Sequence, residues 1–475
     1  MNARDASARN PRNMELVLLV FSVGIAMAAY ASVGLVNQGT IPAGMLGYGG
    51  GLAMLFGAAH LTLRRFARDA DPVLLPAAAL INGLGLAIIH RLDLAYLDRA
   101  QRLGTDPPAA SAPAQLTWTA VGVALFIAVI LLVRDHRVLQ RFTYTAMLVG
   151  LVLLLLPLLP IIGTTINGAR IWIRVAGFSF QPGELAKLVL LVFFAGYLVV
   201  KRDVLALASR RFLGVYLPRG RDLGPIVLAW ATSLAVLVFE RDLGTSLLFF
   251  GVFVAMLYVA TERLSWLLIG IAMFLSGSYL AWTLFSHVQK RVDIWLHPFA
   301  DRNIGDDSYQ LVQGLFGLGT GGILGRGLGQ GRPEIVPYAK TDFIIAAIGE
   351  ELGLTGLMAI LLIYGILVQR GLRAAVAVRD AFGKLLAAGL AFSLALQVFV
   401  VVGGVTRLIP LTGLTMPLLS YGGSSLVANW ALIALLLRIS DAARRPPQPA
   451  GPAEPPSSGY ARSSADDATT QVVRL

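Results

Sequence analysis

Apolar runs of about twenty residues, separated by short polar connections, recur along most of this chain. A helix needs about 20 apolar residues to cross the hydrocarbon of a bilayer. The runs lack the alternation of a membrane β-barrel, so we expect an all-α, polytopic membrane protein with about twelve transmembrane helices. The predicted spans are 14–35, 42–63, 73–90, 116–134, 142–162, 184–200, 223–240, 242–260, 265–286, 342–369, 384–406 and 420–438.

Composition excludes a soluble enzyme. Of 475 residues, 56% are hydrophobic and 14% are charged, whereas soluble domains carry roughly 25% charged residues. The chain has no cysteine, which excludes disulfides and thiolate metal sites. Its five histidines form no HExxH or other paired arrangement, so no metal site is predicted.

The basic residues lie in short clusters between the apolar runs. This distribution indicates orientation in a membrane, so the net charge of +12 does not predict a nucleic-acid partner. The positive-inside rule places both termini in the cytoplasm. We therefore expect a cytoplasmic tail over 1–13, a membrane domain over 14–440 and a disordered cytoplasmic tail over 441–475, rich in Pro, Ser, Ala and Asp.

Two outer segments, about 163–183 and 287–341, are longer than the other connections. Long ordered loops in compact proteins are usually functional, although a loop can also be a mere tether. The second contains GLGTGGILGRGLGQG, which matches GxGxxG spacing but lacks a strand–helix context. We interpret these glycines as a flexible or tightly turning loop near the site.

Charges at the edge of a span are costly and mark functional candidates. Glu184 and Lys187, at i and i+3, either carry function or neutralise each other where the helix meets the interface. Asp242 precedes a span and is expected mainly to cap it.

Asp342 lies where the long outer segment enters a span, above Gly349, Gly353 and Gly356 on nearly the same helix face. One interpretation is an N-cap above a small-residue packing face. The other is a carboxylate base above a groove for a lipid tail. Pattern alone leaves both open.

Several segments together resemble the SEDS family (shape, elongation, division and sporulation), whose members include RodA and FtsW. They occur in the family's order over roughly the last two-thirds of the chain. These segments are NGARIWI at 167–173, FQPGELAKL at 180–188, RDLGTSLL at 241–248, QLVQGLFGLGTGGILGRGLGQG at 310–331, KTDFIIAAIGEELGLTG at 340–356 and LIPLTGLTMPLLSYGGSS at 408–425.

The resemblance implies a polymerase of lipid II, acting on the outer face of the bacterial cytoplasmic (inner) membrane beside a class B penicillin-binding protein and membrane lipids. It implies that Asp342, the aspartate of the TDF motif, is catalytic. A divalent cation, Mg²⁺ or Mn²⁺, would help to stabilise the pyrophosphate leaving group, as would outer cations, including Arg174 and Arg326. The predicted substrate-binding residues are Arg170, Glu184, Lys187, Asp242, Arg291, Gln310, Lys340 and Ser420.

The chain departs from the family pattern in a few places. QPGELAK and ERDLGT replace QPSELAK and QPDLGT, Val401 stands where an asparagine is common, and Arg407 intrudes before the LIPLTG motif. The motifs are closer to RodA than to FtsW. The alternatives are a division polymerase, a lipid II flippase and a non-catalytic activator of the penicillin-binding partner.

Overall fold

The structure is a computed structural model that describes residues 11–160, 162–166, 169–175, 178–206, 210–212, 215–217, 223–300 and 304–445. Most of both predicted tails, 1–10 and 446–475, lies outside these ranges, as do Asn167 and Gly168 of the NGARIWI motif. The helices are α1 Pro11–Gln38, α2 Met45–Phe66, α3 Leu74–Leu103, α4 Ala112–Leu132, α5 Thr143–Leu155, α6 Pro182–Ala206, α7 Gly224–Ala235, α8 Leu243–Thr261, α9 Leu264–Leu284, α10 Ser286–Leu296, α11 Tyr309–Gly321, α12 Ile344–Ala377, α13 Ala381–Val405 and α14 Gly423–Arg444.

The helical membrane fold is confirmed. In the described part of the chain, eleven helical segments are long and apolar enough to cross a bilayer. The predicted span 223–240 corresponds to the shorter α7, which continues into a π-helical turn over Val236–Glu240. Both tails are shorter than the predicted 1–13 and 441–475, because α1 already begins at Pro11 and α14 continues to Arg444.

Small β-sheets modify the all-α prediction. In the outer segment 163–183, β1 Gly163–Ile166, β2 Ala169–Val175 and β3 Phe178–Phe180 form an antiparallel sheet in the order β1-β2-β3. The cause is local, since β2 alternates isoleucine or valine with other residues and an Asn-Gly pair follows β1. A second hairpin joins β4 Arg210–Phe212 to β5 Val215–Leu217.

The long outer segment 287–341 is largely structured rather than an open loop. It contains most of α10, all of α11 and a 3₁₀ turn over Pro333–Ile335. Glycines at 322, 325, 327 and 329 then adopt positive φ angles, which non-glycine residues rarely do. We call residues 322–329 the glycine loop. The turning geometry expected for the glycine run is found there, whereas Gly317 and Gly319 of the same run lie in α11, so the loop prediction is wrong for them.

The glycine loop packs against a break in α12. Gly353 has φ 67° and ψ −171°, so α12 consists of two helical pieces, and the stripe predicted along one continuous helix is interrupted there. The loop supplies hydrogen-bond partners for the backbone groups of α12 that the break leaves without partners inside the helix. The hydrogen bonds are Arg326 N to Glu350 O at 3.0 Å, Gly327 N to Glu351 O at 2.9 Å, Leu354 N to Gly322 O at 2.9 Å and Thr355 N to Ile323 O at 3.0 Å.

The interior is built around α14, whose side chains are buried along almost its whole length. Helices α3, α4, α12 and α6 pack around it, and α13 and α8 extend the core. Helix α1 packs chiefly on α3 and, more sparsely, on α2. Many apolar side chains of α1, α2 and α9 remain exposed, as expected for faces that meet lipid.

Candidate active site

The Asp342 carboxylate lies just before α12 and is half-buried. Thr341 donates its hydroxyl to one carboxylate oxygen at 2.9 Å, and the Gln310 amide, from α11, approaches the other at 3.4 Å. The residue preceding α12 is Phe343, and no side chain caps that helix. The carboxylate is therefore not used as the N-cap that one interpretation of the sequence required.

The backbone on either side of Asp342 is held from two directions. Lys340 donates its ammonium to the Asp93 carboxylate on α3 and to the Ser111 hydroxyl at 3.1 Å. Its carbonyl accepts the Tyr421 amide at 2.8 Å. Ser420 donates its hydroxyl to the Thr341 carbonyl. In this structure Lys340 and Ser420 position the aspartate segment, and their predicted contact with substrate stays a prediction.

Asp93 was not among the predicted site residues. Its carboxylate also accepts the amides of Ser111 and Ala112 at the start of α4, at 2.9 and 2.8 Å. The predicted third span ended at residue 90, whereas α3 continues to Leu103. Extending the helical pattern past His90 would have placed Asp93 on α3, but its contact with Lys340 joins residues distant in sequence and is not visible in the pattern.

Arg291 lies on α10, and the negative charges of Asp242 and Asp342 act on its guanidinium. Its guanidinium donates to the Leu411 carbonyl at 2.6 Å, in the segment that precedes α14. Among the predicted outer cations, Arg291 is the one whose charge acts on Asp342. Its positive charge therefore stabilises the Asp342 anion.

Burial raises the pKa of Asp342 above its ordinary value. The hydrogen bonds from Thr341 and Gln310 and the positive charge of Arg291 oppose that rise by stabilising the anion. Burial likewise raises the pKa of Asp242, against the hydrogen bonds from Thr245 and the charge of Arg291. A raised carboxyl pKa suits a group that must accept a proton.

The remaining predicted polar residues form a neighbouring cluster. Asp242 caps α8, accepting the Thr245 amide at 3.0 Å, which agrees with the capping interpretation. Glu184 and Lys187 form a buried ion pair at 2.9 Å. Lys187 also donates to the Gln397 side chain on α13 at 2.8 Å. The pair is thus part of the packing between α6 and α13.

Arg170 lies apart from this group, on β2. Its guanidinium donates to the carbonyls of Pro157 and Leu159, at 3.1 and 3.3 Å, which ties the outer sheet to the end of the fifth span. The other proposed cations, Arg174 and Arg326, are exposed. Their predicted roles toward substrate stay predictions.

The two acids inside α12 are occupied by structural partners. Glu351 pairs with Arg91 at 2.8 Å and accepts the Gly329 amide at 2.9 Å. Glu350 accepts the Arg332 amide at 2.8 Å. These contacts hold the glycine loop and the following turn on α12. The sequence placed both acids deep in the span but did not indicate that Arg91 pairs with Glu351.

Comparison with known proteins decides the family. The FtsW, RodA and SpoVE family, described as a cell cycle protein family, matches residues 72–445. The chain belongs to this family. RodA of Mycobacterium tuberculosis, named a peptidoglycan glycosyltransferase, is 53% identical over 436 residues, covering 92% of each chain. RodA of Mycobacterium leprae is 52% identical, and a probable FtsW of Geobacter metallireducens is 36% identical over 64% of this chain.

Solved structures show the same fold. A chain from a study of how a peptidoglycan synthase complex coordinates polymerization and crosslinking is 28% identical, with a TM-score of 0.59, and the match covers 79% of this chain and 99% of that one. RodA of Thermus thermophilus is 26% identical, with a TM-score of 0.54, covering 78% and 96% of the two chains. The SEDS resemblance drawn from the motifs is therefore confirmed.

Proposed function

We propose that this chain is a peptidoglycan glycosyltransferase of the elongation type, which polymerises lipid II into glycan strands with Asp342 as general base. The activity follows from membership of the family and from relatives that bear that name at 53% identity. The assignment of the site rests on the Asp342 carboxylate, which is half-buried and accepts hydrogen bonds from Gln310 and Thr341. This carboxylate does not cap α12.

The proposed reaction is an inverting transfer. The Asp342 carboxylate takes the proton from the 4-hydroxyl of one glycan while that oxygen bonds to the anomeric carbon of the other. The bond from that carbon to the lipid pyrophosphate breaks, and the pyrophosphate leaves with the electron pair. General-base assistance of this kind contributes roughly 10²–10⁴-fold. The hydrogen bond from Gln310 on α11 and the contacts to the backbone on either side of Asp342 hold the base in position. Such positioning supports catalysis.

Arg291 is the proposed cation for the leaving group, because among the predicted outer cations it is the one that interacts electrostatically with Asp342 and Asp242. Among the described residues, no group of three or more His, Asp or Glu side chains could hold a metal ion. No step of the proposal therefore passes through a protein-bound metal. We propose that the divalent cation expected from the chemistry arrives on the pyrophosphate, so a chelator should slow the reaction without altering the folded protein.

The partner and the orientation are also proposals. A class B penicillin-binding protein would crosslink the strands, in keeping with a structural relative that belongs to a complex for polymerization and crosslinking. Arginine-rich connections on one side support cytoplasmic termini in the bacterial inner membrane, with Asp342 outside. The flippase alternative gains no support from the deep acids, because Glu350 and Glu351 are held by Arg332, Arg91 and Gly329.

The test is polymerisation of lipid II by the purified chain in liposomes, with and without its partner. Asp342→Asn should lower the rate by at least about 100-fold, the lower bound for loss of a general base. Asp306→Asn is the matched control, because Asp306 is an exposed acid of the same outer segment. Glycan strands from Asp342→Asn at the native rate would refute the base assignment, and lipid II scrambling without strands would favour a flippase.

A further inference from the structure

Helices α1 and α2 precede residue 72, where the match to the family begins. The sequence suggested no role for them. A cavity of about 600 Å³ lies between the N-terminus of α1 and the C-terminus of α2. This volume is within the roughly 300–1,000 Å³ typical of ligand pockets. Its lining residues are Pro11, Arg12, Leu61, Arg64, Arg65, Arg68 and Asp69.

The lining is strongly basic, with four arginines against one aspartate. The buried Arg12 is already balanced, because its guanidinium pairs with Glu15 and also donates to the Ala70 carbonyl. Arg64, Arg65 and Arg68 are exposed, and within the described residues no carboxylate forms an ion pair with them. Three arginines against Asp69 leave the cavity with an excess of positive charge.

The position of the cavity favours a lipid as the source of the anion. It lies at the ends of two membrane helices, on the face that the positive-inside pattern assigns to the cytoplasm. Apolar side chains beside it are exposed, including Leu16, Val17 and Phe21 on α1 and Leu61 on α2. The acyl chains of a lipid whose phosphate occupies the cavity would then lie along these exposed apolar faces. Basic pockets between membrane helices at this level are suited to anionic headgroups.

The N-terminal segment of the chain is a poorer occupant. Residues 1–10 carry Arg4 and Arg9 against the single acid Asp5. A basic segment does not complement a basic cavity. We therefore propose that the α1–α2 cavity binds the phosphate headgroup of an anionic phospholipid of the cytoplasmic leaflet. The site is separate from the outer glycosyltransferase site.

The probe is phosphatidylglycerol, added to the purified full chain in detergent, with bound lipid counted by native mass spectrometry. The triple variant Arg64→Ala/Arg65→Ala/Arg68→Ala should bind it at least about tenfold more weakly, since each surface arginine contributes around 1 kcal/mol of attraction to anionic lipid. The native chain should retain it when phosphatidylcholine is supplied in excess.

The matched control is Arg373→Ala/Arg379→Ala/Lys384→Ala, which removes the same charge from exposed positions on the same predicted side, away from the cavity. It should bind phosphatidylglycerol as the native chain does. Equal weakening of both triples would overturn the proposal, since the attraction would then be general. Displacement of the lipid by millimolar inorganic phosphate would also overturn it, by identifying a soluble anion as the ligand. Polymerase activity is expected to survive in both triples.

Discussion

At the scale of single residues, the environment of Asp342 combines burial with a nearby positive charge. Burial disfavours the anion, and Arg291 together with two hydrogen-bond donors favours it. A base must be deprotonated before the reaction, so the balance between these effects decides the pH at which activity is lost. Because the net effect raises the pKa, activity should fall at a pH above the ordinary range of an aspartate, about 3.9.

Arg291→Gln should shift this acidic limb to higher pH. Removing the positive charge raises the pKa of Asp342 further, so a larger fraction is protonated at a given pH. The measurement is the pH profile of the polymerisation rate between pH 4 and 8. Lys290→Gln on the same helix is the control, because Lys290 pairs with Asp307 rather than with the site. An unshifted limb for Arg291→Gln would contradict the assignment of Asp342 as the titrating base.

At the scale of elements, Asp93 joins three parts of the chain: α3, the start of α4 and the segment that carries Asp342. Its ion pair with Lys340 is largely buried, with side-chain exposures of 8% and 13%. Such pairs are costly to break on one side because a charge remains without its partner. The position of the segment that carries Asp342 therefore depends on a helix that contributes no atom to the proposed chemistry.

Asp93→Ala should lower the free energy of unfolding by about 3 kcal/mol and should reduce polymerisation. Asp98→Ala on the same helix removes an exposed ion pair with Arg102 and should cost at most about 1 kcal/mol. Thermal unfolding of the purified variants measures the difference. Equal melting temperatures would show that the Asp93–Lys340 pair does not anchor the segment.

Gly353→Ala tests the break in α12. An alanine would be strained at φ 67°, and its Cβ would lie 2.2 Å from the Gly325 nitrogen, a backbone atom. We expect a loss of at least about 2 kcal/mol in stability, from strain and displacement of the glycine loop. Gly365→Ala, where a Cβ meets nothing within 4 Å, should be neutral or slightly stabilising. Similar melting temperatures for the two variants would contradict a structural role for the break.

At the scale of the whole molecule, the absence of cysteine gives a direct test of orientation. A single cysteine replacing the exposed Asp306 should react with a membrane-impermeant maleimide in spheroplasts. A cysteine replacing the exposed Arg379 should react only after the membrane is opened. The opposite labelling pattern would reverse the proposed topology and place Asp342 in the cytoplasm.

Much of this architecture follows from hydropathy, because each span must satisfy its backbone internally. The prominence of Asp342 also followed from the sequence, since a charge at a span edge is rare. The outer sheet was not predicted, although the alternation in β2 and the Asn-Gly pair that favour it are local. Two further features did not follow from the sequence: the break at Gly353 and the Asp93 anchor. Each depends on contacts between residues distant in sequence, as in the hydrogen bond from the Leu354 amide to the Gly322 carbonyl. Periodicity within one segment contains no information about such partners.

The junction between the glycine loop and α12 bears on the order in which the chain assembles. The loop is synthesised before α12, yet the amides of Arg326 and Gly327 bond to carbonyls that α12 supplies. The amides of Leu354 and Thr355 bond in the opposite direction. Neither side of the junction has these hydrogen-bond partners until the other side is present. The junction must therefore close after α12 has inserted, and these four amides should open and exchange hydrogen together, as one cooperative unit.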